Sequence, residues 1–258
     1  MSWYPQIGTG AVAQFPLSRS RMWRAITNDL ESSEKIMLPD SAAGQIEWKL
    51  SYQDLTNAEA ARLSNLFASS QAGFEAFTFI DPLANLLGWS EDLTQPNWQT
   101  GLLQHTSGVN DPLGTQRAST VSNPNPAAQA LQQTLGVSGD YVACFSAYLW
   151  SNATGTVILQ RDGTQVTVAV GPAWKRAFVT GLGVSGAAQS SFSIVLSAGQ
   201  TINVWGPQVE AQPYPSAYKQ TGAAIGIYEE TYFENDELSI TSSSLGLSSC
   251  EITLMSRV

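Results

Sequence analysis

Apolar and polar residues in the first third of the chain predict a strand followed by a helix. Every second residue is apolar in one run, at Ile46, Trp48, Leu50 and Tyr52, which is typical of a half-buried strand. Thr56 and Glu59 follow with the spacing of a capping box. Apolar residues at helical spacing come next, at Ala60, Leu63 and Phe67. A short helix is therefore predicted directly after the strand.

The pattern changes between residue 85 and about residue 221. Acidic residues become sparse there, and short apolar runs recur at the spacing of an all-β sandwich. The dipeptide Asp162-Gly163 lies between two alternating runs, which is a strong hairpin signal. This region is predicted to form an antiparallel sandwich.

Short strands are predicted on both sides of that region. Phe74, Phe77 and Phe79 indicate a strand that ends before Pro82. The last run of the chain alternates apolar Cys250, Ile252 and Leu254 with more polar residues. Because an unpaired strand exposes its backbone groups, this C-terminal strand is expected to pair with one in the first 82 residues.

The outer segments are therefore predicted to form one domain that the sandwich interrupts. The expected boundaries are residues 1–83 plus 222–258 for the outer domain and 84–221 for the insert. Insertion is tolerated where the ends of a domain lie close together. The predicted fold class is mainly β: a split β-barrel or sandwich domain with one short helix, interrupted by an inserted antiparallel β-sandwich, a jelly roll.

The content of charged residues and the net charge favour some classes of function over others. Charged residues make up 13% of the chain, against about 25% in an average soluble protein, which suits an extracellular or assembled protein. The net charge of -9 argues against nucleic-acid binding. The small basic run at residues 18–24 is interpreted as a solvated or subunit-contacting loop.

No apolar window has membrane-spanning length, and the N-terminus has no signal-peptide pattern, so synthesis and assembly in the cytoplasm are expected.

Titratable groups give little support for an enzyme. His105 has no partner motif and is interpreted as a polar strand or loop residue. Each carboxylate in the insert has a turn, capping or motif role that explains it without hydrolysis; these residues are Glu91, Asp92, Asp111, Asp140, Asp162 and Glu210. We expect no catalytic residues, no cofactor and no metal. Cys144 and Cys250 are expected to be buried free thiols, with a disulfide as the alternative.

One strand of the insert has the residue types of a sugar-binding surface. In residues 144–150, the pleat separates Phe145, Ala147 and Leu149, which suit a core, from Ser146, Tyr148 and Trp150. Rings with hydroxyls beside them can stack on sugars and bond their edges. Gln160 and Arg161 on the next hairpin are predicted to join this face. The alternative, in which Tyr148 and Trp150 are ordinary sandwich residues or contacts to another protein, stays open.

Two stretches carry a family resemblance. Residues 85–98, "NLLGWSEDLTQPNW", and 204–221, "VWGPQVEAQPYPSAYKQT", resemble the two ends of jelly-roll, carbohydrate-binding-like modules embedded in tailed-phage structural proteins. A central W-x-R is matched at residues 174–176. This resemblance implies that Trp174 and Trp205 are core residues. Pro207 and Lys219 depart from the pattern, which leaves the exit path of the chain in question.

The flanks resemble the β-barrel domain of phage distal tail or baseplate proteins. The pattern is W-x-L-x-Y-x-x-L-(S/T)-x-x-E before a helix and F-x-F-x-DP after it. The resemblance implies a structural tail-tip protein in the virion, forming a homo-oligomeric ring, most simply a hexamer, at the end of the tail tube. Other tail proteins (tube and hub) and a host surface glycan are the implied partners. Nucleic acid and membrane insertion are not expected.

Aromatic residues of the flanks suit the subunit interfaces of such a ring: Trp3, Trp23, Tyr228, Tyr232 and Phe233. Two alternatives remain. A tail depolymerase, a glycoside hydrolase, would need Glu91 or Asp92 as an essential carboxylate. A stand-alone sugar-binding module would use the insert alone.

Overall fold

The computed structural model describes residues 2–257, apart from the side chains of residues 39 and 41–43. The predicted fold class is confirmed: the chain is mainly β, and the described residues contain one helix. In chain order the elements are β1 (Ser2–Trp3), β2 (Leu17–Asp29), β3 (Lys35–Thr56), α1 (Asn57–Ser69), β4 (Phe77–Ile80), β5 (Gln104–Val109), β6 (Ala118–Ser122), β7 (Gln129–Leu135), β8 (Ala143–Trp150), β9 (Gly155–Arg161), β10 (Thr164–Val170), β11 (Lys175–Gly181), β12 (Ser190–Leu196), β13 (Thr201–Glu210), β14 (Ile227–Phe233), β15 (Ile240–Ser244) and β16 (Leu247–Arg257).

The described chain forms two compact units. Unit 1 contains residues 2–8, 12–80 and 228–257, and unit 2 contains residues 9–11 and 81–227. Unit 1 has one seven-stranded sheet in the order β1-β4-β14-β16-β3-β2, with β15 paired to β16. β16 runs antiparallel to β3, which confirms that the C-terminal strand pairs within the first 82 residues.

The predicted strand and helix of unit 1 are confirmed. The four alternating apolar residues of β3 are all buried, and the Trp48 ring lies 5.0 Å from that of Phe79. At the start of α1, Glu59 N donates to Thr56 Oγ1 over 3.4 Å and Thr56 N donates to a Glu59 carboxylate oxygen over 2.7 Å. This reciprocal pair satisfies two amides that the first helical turn leaves open.

The strand predicted from Phe74 begins later than expected. Phe74 is 76% exposed, and β4 starts at Phe77. Gln71 and Ala72 both have positive φ angles, of 50° and 59°. These two residues form a left-handed turn after the helix, so Phe74 still lies in the connection rather than in the sheet.

Unit 2 is a sandwich of two antiparallel sheets. One sheet has the order β10-β9-β12-β7 and the other the order β11-β8-β13-β6-β5. The two inner faces meet, for example where the Phe145 ring of β8 lies 6.0 Å from the Phe192 ring of β12. The predicted hairpin is confirmed, since Arg161 pairs with Thr164 across Asp162-Gly163. Cys144 and Cys250 are buried and free, as expected.

The opening and closing segments of the predicted insert are joined by hydrogen bonds within unit 2. Asn85 Nδ2 donates to the carbonyls of Pro207 (3.1 Å) and Lys219 (3.0 Å), and Asn85 Oδ1 accepts from Val209 N over 3.0 Å. Thr221 Oγ1 donates to Leu87 O over 2.6 Å. The two segments quoted for the family resemblance therefore close the sandwich against each other.

Candidate functional site

The predicted aromatic face lies on the outer side of the five-stranded sheet of unit 2. Phe145, Ala147 and Leu149 point into the sandwich and are buried, as predicted. Tyr148 and Trp150 leave β8 on the opposite side and are half-buried. On the neighbouring strand β13, Trp205 lies opposite Tyr148 and Asn203 lies opposite Trp150. The face therefore has two ends, which we call the Tyr148 end and the Trp150 end.

Ser146 belongs to the same face but is not accessible. It is fully buried, and its hydroxyl oxygen accepts a hydrogen bond of 3.0 Å from the guanidinium of Arg176. Arg176 also donates to Ser216 O and lies over the Tyr148 ring, 5.4 Å from its centroid. The prediction that Ser146 meets a ligand is wrong because Arg176 covers it.

Gln160 and Arg161 do not join this face. Both belong to β9, which is part of the other sheet. Arg161 is completely buried, and donates to Tyr141 O over 2.7 Å, to Gly181 O, and to Ser138 O over 3.4 Å. The interpretation of Arg161 as a sugar-binding residue is wrong because its guanidinium ties together three carbonyls inside the sandwich.

Burial also affects the charge of Arg161. Removing the guanidinium from water lowers the pKa of Arg161 to about 10, although neighbouring Asp162 acts in the opposite direction. The group therefore stays protonated at neutral pH. A buried charge of this kind needs its hydrogen-bond acceptors, so Arg161 has a structural role.

The Tyr148 end is occupied largely by the protein's own rings, which leave a smaller recess of about 380 Å³ beside Tyr148, Trp205 and Tyr218. The Trp205 ring lies 5.0 Å from that of Tyr148 and 4.7 Å from that of Tyr218. The Arg117 guanidinium also lies over the Trp205 ring, 5.6 Å from its centroid. Trp205 is only 4% exposed, so its predicted core character is confirmed. It is buried beneath residues 211–221, however, and not between the two sheets. Trp174, the other tryptophan expected in the core, is half-buried.

A carboxylate fixes residues 211–221 over this end of the face. Glu210 accepts hydrogen bonds from Ser216 N (2.9 Å) and Lys219 Nζ (2.9 Å). Burial by itself would raise the pKa of Glu210, but hydrogen bonds from Ser216, Gln208 and Lys219 together lower the pKa below its usual value. Glu210 is therefore charged at neutral pH and holds the segment in place.

The Trp150 end is open. A cleft of about 550 Å³ lies between the loop that follows β8 and the start of β13, within the volume range of small-molecule sites, about 300–1,000 Å³. None of its lining residues carries an ionisable side chain. The lining contains Thr120, Trp150, Ser151, Asn152, Ala153, Thr154, Gly155, Gly199, Gln200, Thr201, Ile202 and Asn203.

Hydrogen bonding orients the polar groups beside Trp150. Thr120 Oγ1 donates to Asn203 Oδ1 over 2.8 Å, which leaves the amide hydrogens of Asn203 pointing away from Thr120. Gln200 Nε2 donates to Thr156 O over 2.9 Å at the rim of the cleft. The cleft therefore combines one half-buried indole ring with fixed donors and acceptors.

Sequence reasoning missed Thr120, Asn203 and Gln200. A signal for Asn203 was present, because Ile202 and Val204 alternate with Asn203 and Trp205, and the two aliphatic residues are buried. No comparable signal marked Thr120, which reaches the cleft only because β6 pairs with β13.

The six carboxylates weighed for hydrolysis take part in local hydrogen bonds or ion pairs. Asp111 accepts from Leu113 N (2.7 Å), Asp162 from Ser191 N (2.7 Å), Asp92 from Thr94 N (3.0 Å) and Asp140 from Gly186 N (3.2 Å). Glu91 lies 3.3 Å from Arg117. His105 is half-buried on β5. Among the described residues, no three His, Cys, Asp or Glu side chains come together as a metal site.

The aromatic residues proposed for subunit contacts in unit 1 differ in exposure. Phe233 is buried, with its ring 5.0 Å from Phe77 and 5.1 Å from Phe67. It is a core residue, so its assignment to an interface is wrong. Trp3, Tyr228 and Tyr232 are half-buried, and Trp23 is 63% exposed. No helix in the described part of the chain has the length and apolar character needed to cross a membrane.

Unit 1 has an open recess of its own, of about 510 Å³. Its lining is mainly hydroxyl, amide and carboxylate groups, and includes Glu237 and Glu251. Its one aromatic residue, Tyr52, is 1% exposed, and the Tyr52 hydroxyl donates to Val12 O. The recess therefore has no ring face on which a ligand could stack.

Comparison with known proteins gives similarities of structure alone. No protein-family model matches the sequence. No curated protein matches it either. Among solved structures, the C-terminal family 22 carbohydrate-binding module of a Clostridium thermocellum xylanase is 14% identical, with a TM-score of 0.40, over 57% of this chain and 99% of the module. A family 22 xylan-binding domain from Paenibacillus barcinonensis is 12% identical, with a TM-score of 0.41, over 53% of this chain and 97% of that domain.

A phage protein is also among the similar structures. The enzymatically active domain of tailspike protein 4 from bacteriophage CBA120 is 15% identical, with a TM-score of 0.38. The match covers 51% of this chain. This chain spans only 22% of the tailspike domain's length.

Proposed function

We propose that this protein is a structural component of a phage tail tip or baseplate, and that unit 2 binds a glycan of the host surface in the cleft at Trp150. The observation that supports glycan binding most directly is the half-buried Trp150 ring, part of which stays exposed beside the oriented amide of Asn203. An indole face packs on the C–H side of a sugar ring, and polar side chains at its edge bond the hydroxyls.

The lining of the cleft favours neutral sugars. It offers hydroxyls, amides and backbone groups but no Lys, Arg, Asp, Glu or His. A carboxylate or sulfate entering the cleft would lose water without gaining an ionic partner, which is costly. The proposed role is binding without catalysis, because the carboxylates of unit 2 already hold backbone amides or cations.

The test measures retention of the full chain by soluble polysaccharides in affinity electrophoresis. The probes are the neutral polymers xylan, β-glucan, galactan and mannan, with polygalacturonate as the acidic comparison. We expect retention by at least one neutral polymer and a loss of about tenfold or more in affinity for Trp150→Ala, since stacking on an aromatic ring contributes about 0.5–1.5 kcal/mol beyond area burial. Trp174→Ala, which removes an indole outside the cleft, is the control. Equal retention of Trp150→Ala and the wild type would contradict the glycan site.

The tail-tip part of the proposal assigns ring building to unit 1. It is supported by large apolar side chains that unit 1 exposes, including Trp23, Ile26 and Leu38, since such residues commonly mark protein contacts. Copies of the chain would form a ring, most simply a hexamer, that also contacts the tail tube and hub. Light scattering after gel filtration measures whether the purified chain forms a closed multiple.

A further inference from the structure

The longest hairpin of unit 1 extends beyond its sheet. β16 pairs with β3 only between Gln45 and Thr56. β2 remains paired with β3 farther out, from Arg24 opposite Asp40 to Asp29 opposite Lys35. Residues 24–40, which we call the ribbon, therefore form a two-stranded hairpin that pairs with no third strand among the described residues. Such hairpins are marginally stable in water without a packing partner.

One face of the ribbon is apolar. Ile26 lies opposite Leu38, and Ile36 follows on the same side, opposite Asn28. The three apolar side chains are 48%, 49% and 43% exposed. Met37 lies on the other face of the ribbon. A row of exposed aliphatic side chains on a projecting hairpin is typical of a surface that another protein covers.

Unit 1 also has two surfaces of opposite charge. Arg19 and Arg21 are exposed on β2, directly before the ribbon. β14 and the loop after it carry exposed acidic residues, namely Glu229, Glu230, Glu234, Asp236 and Glu237. We call this set the acidic surface. Two strands, β16 and β3, separate β14 from β2 in the sheet.

One carboxylate of the acidic surface, Glu234, lies beside a further carboxylate on β3, Glu47. Burial raises the pKa of the Glu234 carboxyl, and the neighbouring carboxylate of Glu47 raises it further, against the effect of Lys49. Lys49 on β3 partly offsets this repulsion, and further cations from a second copy would reduce it more. No Lys or Arg occurs between Lys219 and Arg257 to supply such cations from the same stretch of sequence.

We propose that the ribbon and the two arginines before it dock on the acidic surface of a second copy of this chain. The inference rests on the proposed ring and names its contact. Because the two surfaces differ and lie on one chain, each copy can place its ribbon on one neighbour and receive the ribbon of another neighbour on its own acidic surface. Head-to-tail contacts of this kind produce closed rings or open filaments.

The test compares full-length variants by light scattering after gel filtration, with thermal melting to verify that each variant is folded. Ile26→Thr with Leu38→Thr places a β-branched residue, which suits a strand, at both positions. The double substitution removes two of the three apolar side chains of this face. We expect this variant to dissociate at concentrations at which the wild type assembles, with association at least tenfold weaker. Met37→Thr, on the opposite face, is the matched control and should assemble normally.

Charge reversal tests the choice of partner surface. Arg19→Glu with Arg21→Glu should abolish assembly, and so should Glu229→Lys with Glu230→Lys. Combining all four substitutions in one chain should restore part of the assembly, because positions 19 and 21 then again oppose positions 229 and 230 in charge. Assembly of the wild type should also weaken as salt rises.

The outcomes separate this inference from the proposals on which it depends. Wild-type assembly that is unchanged by the Ile26/Leu38 substitutions would reject the ribbon and leave the ring standing. Failure of the fourfold charge variant to recover, with both twofold variants dissociated, would reject the acidic surface as the partner. A wild-type chain that stays monomeric at its highest soluble concentration would reject ring and ribbon together. Polysaccharide retention is measured independently of all three.

Discussion

Tyr148 and Trp150 leave the same strand on the same side, yet the structure gives them different surroundings. At Tyr148 the rings of Trp205 and Tyr218 pack against the face and leave a recess of about 380 Å³. At Trp150 the face remains open as a cleft with polar walls. The difference arises from residues 211–221, which pack over part of the Tyr148 end and do not line the Trp150 cleft. The pleat of β8 decides on which face a ring lies, and a segment distant in sequence decides how much of that face stays open.

Among substitutions on this face of the sheet, Trp205→Ala is expected to reduce the stability of unit 2 most. Trp205 is 4% exposed and contacts two rings and a guanidinium. Its removal leaves a cavity, so we expect unit 2 to lose about 3–5 kcal/mol of unfolding free energy. Calorimetry of the full chain measures the shift of the unit 2 transition.

Trp150→Ala is the matched comparison for that variant, because the two indoles lie on the same face of the same sheet. Trp150 is half-buried, so we expect a smaller loss, of about 1–2 kcal/mol, from its smaller change in buried area. Equal destabilisation by the two substitutions would show that the Trp150 end is packed as tightly as the Tyr148 end.

The next effect concerns the carboxylate that holds residues 211–221. Glu210→Gln removes the charge that binds Lys219 and weakens the bond to Ser216. A charged hydrogen-bonded group of this kind contributes about 1.5–3 kcal/mol. We expect a loss of unfolding free energy in that range, with glycan retention nearly unchanged because Glu210 does not line the cleft.

The pH dependence of Glu210 has a defined sign. Its pKa is lower in the folded protein than the usual value of a glutamic acid, so the folded state favours the ionised form. The resulting stability is fully present above the unfolded-state pKa and is lost as pH falls through the folded-state pKa. The wild type and Glu210→Gln should therefore converge in stability in acid. A stability difference that stays constant through this range would contradict the assigned role.

Local features of the fold followed from the sequence. The capping box at Thr56 and Glu59, the Asp162-Gly163 turn and the buried row of β3 depend on neighbouring residues and on strand or helix period. Phe74 shows the limit of such patterns. Its spacing before Phe77 and Phe79 suggested a strand, but the left-handed turn at Gln71 and Ala72 precedes it and delays the strand.

Contacts between residues distant in sequence explain why several of the predicted site and interface residues were wrong. Arg161 follows Gln160 on a hairpin next to β8 in sequence, but β9 joins the opposite sheet. Ser146 lies on the face of β8 that the alternation predicted, but Arg176 from β11 covers its hydroxyl. Phe233 lies in an acidic, aromatic stretch that looked like surface, yet it packs between Phe67 and Phe77. Each of these outcomes depends on a partner distant in sequence.

The smallest predicted effect tests the Trp150 end by itself. Thr120→Val removes the hydroxyl that bonds Asn203 Oδ1 over 2.8 Å while retaining a β-branched residue on β6. Asn203 then loses its orienting donor, and we expect neutral-polymer affinity to fall about twofold to fivefold, the effect of a typical hydrogen bond of about 0.5–1 kcal/mol. Thr106→Val is the matched control, because Thr106 pairs with Thr120 across β5 and β6 but does not line the cleft. If both variants bind equally well, the Asn203 amide does not contact the sugar, and recognition depends on the Trp150 ring and the backbone groups around it.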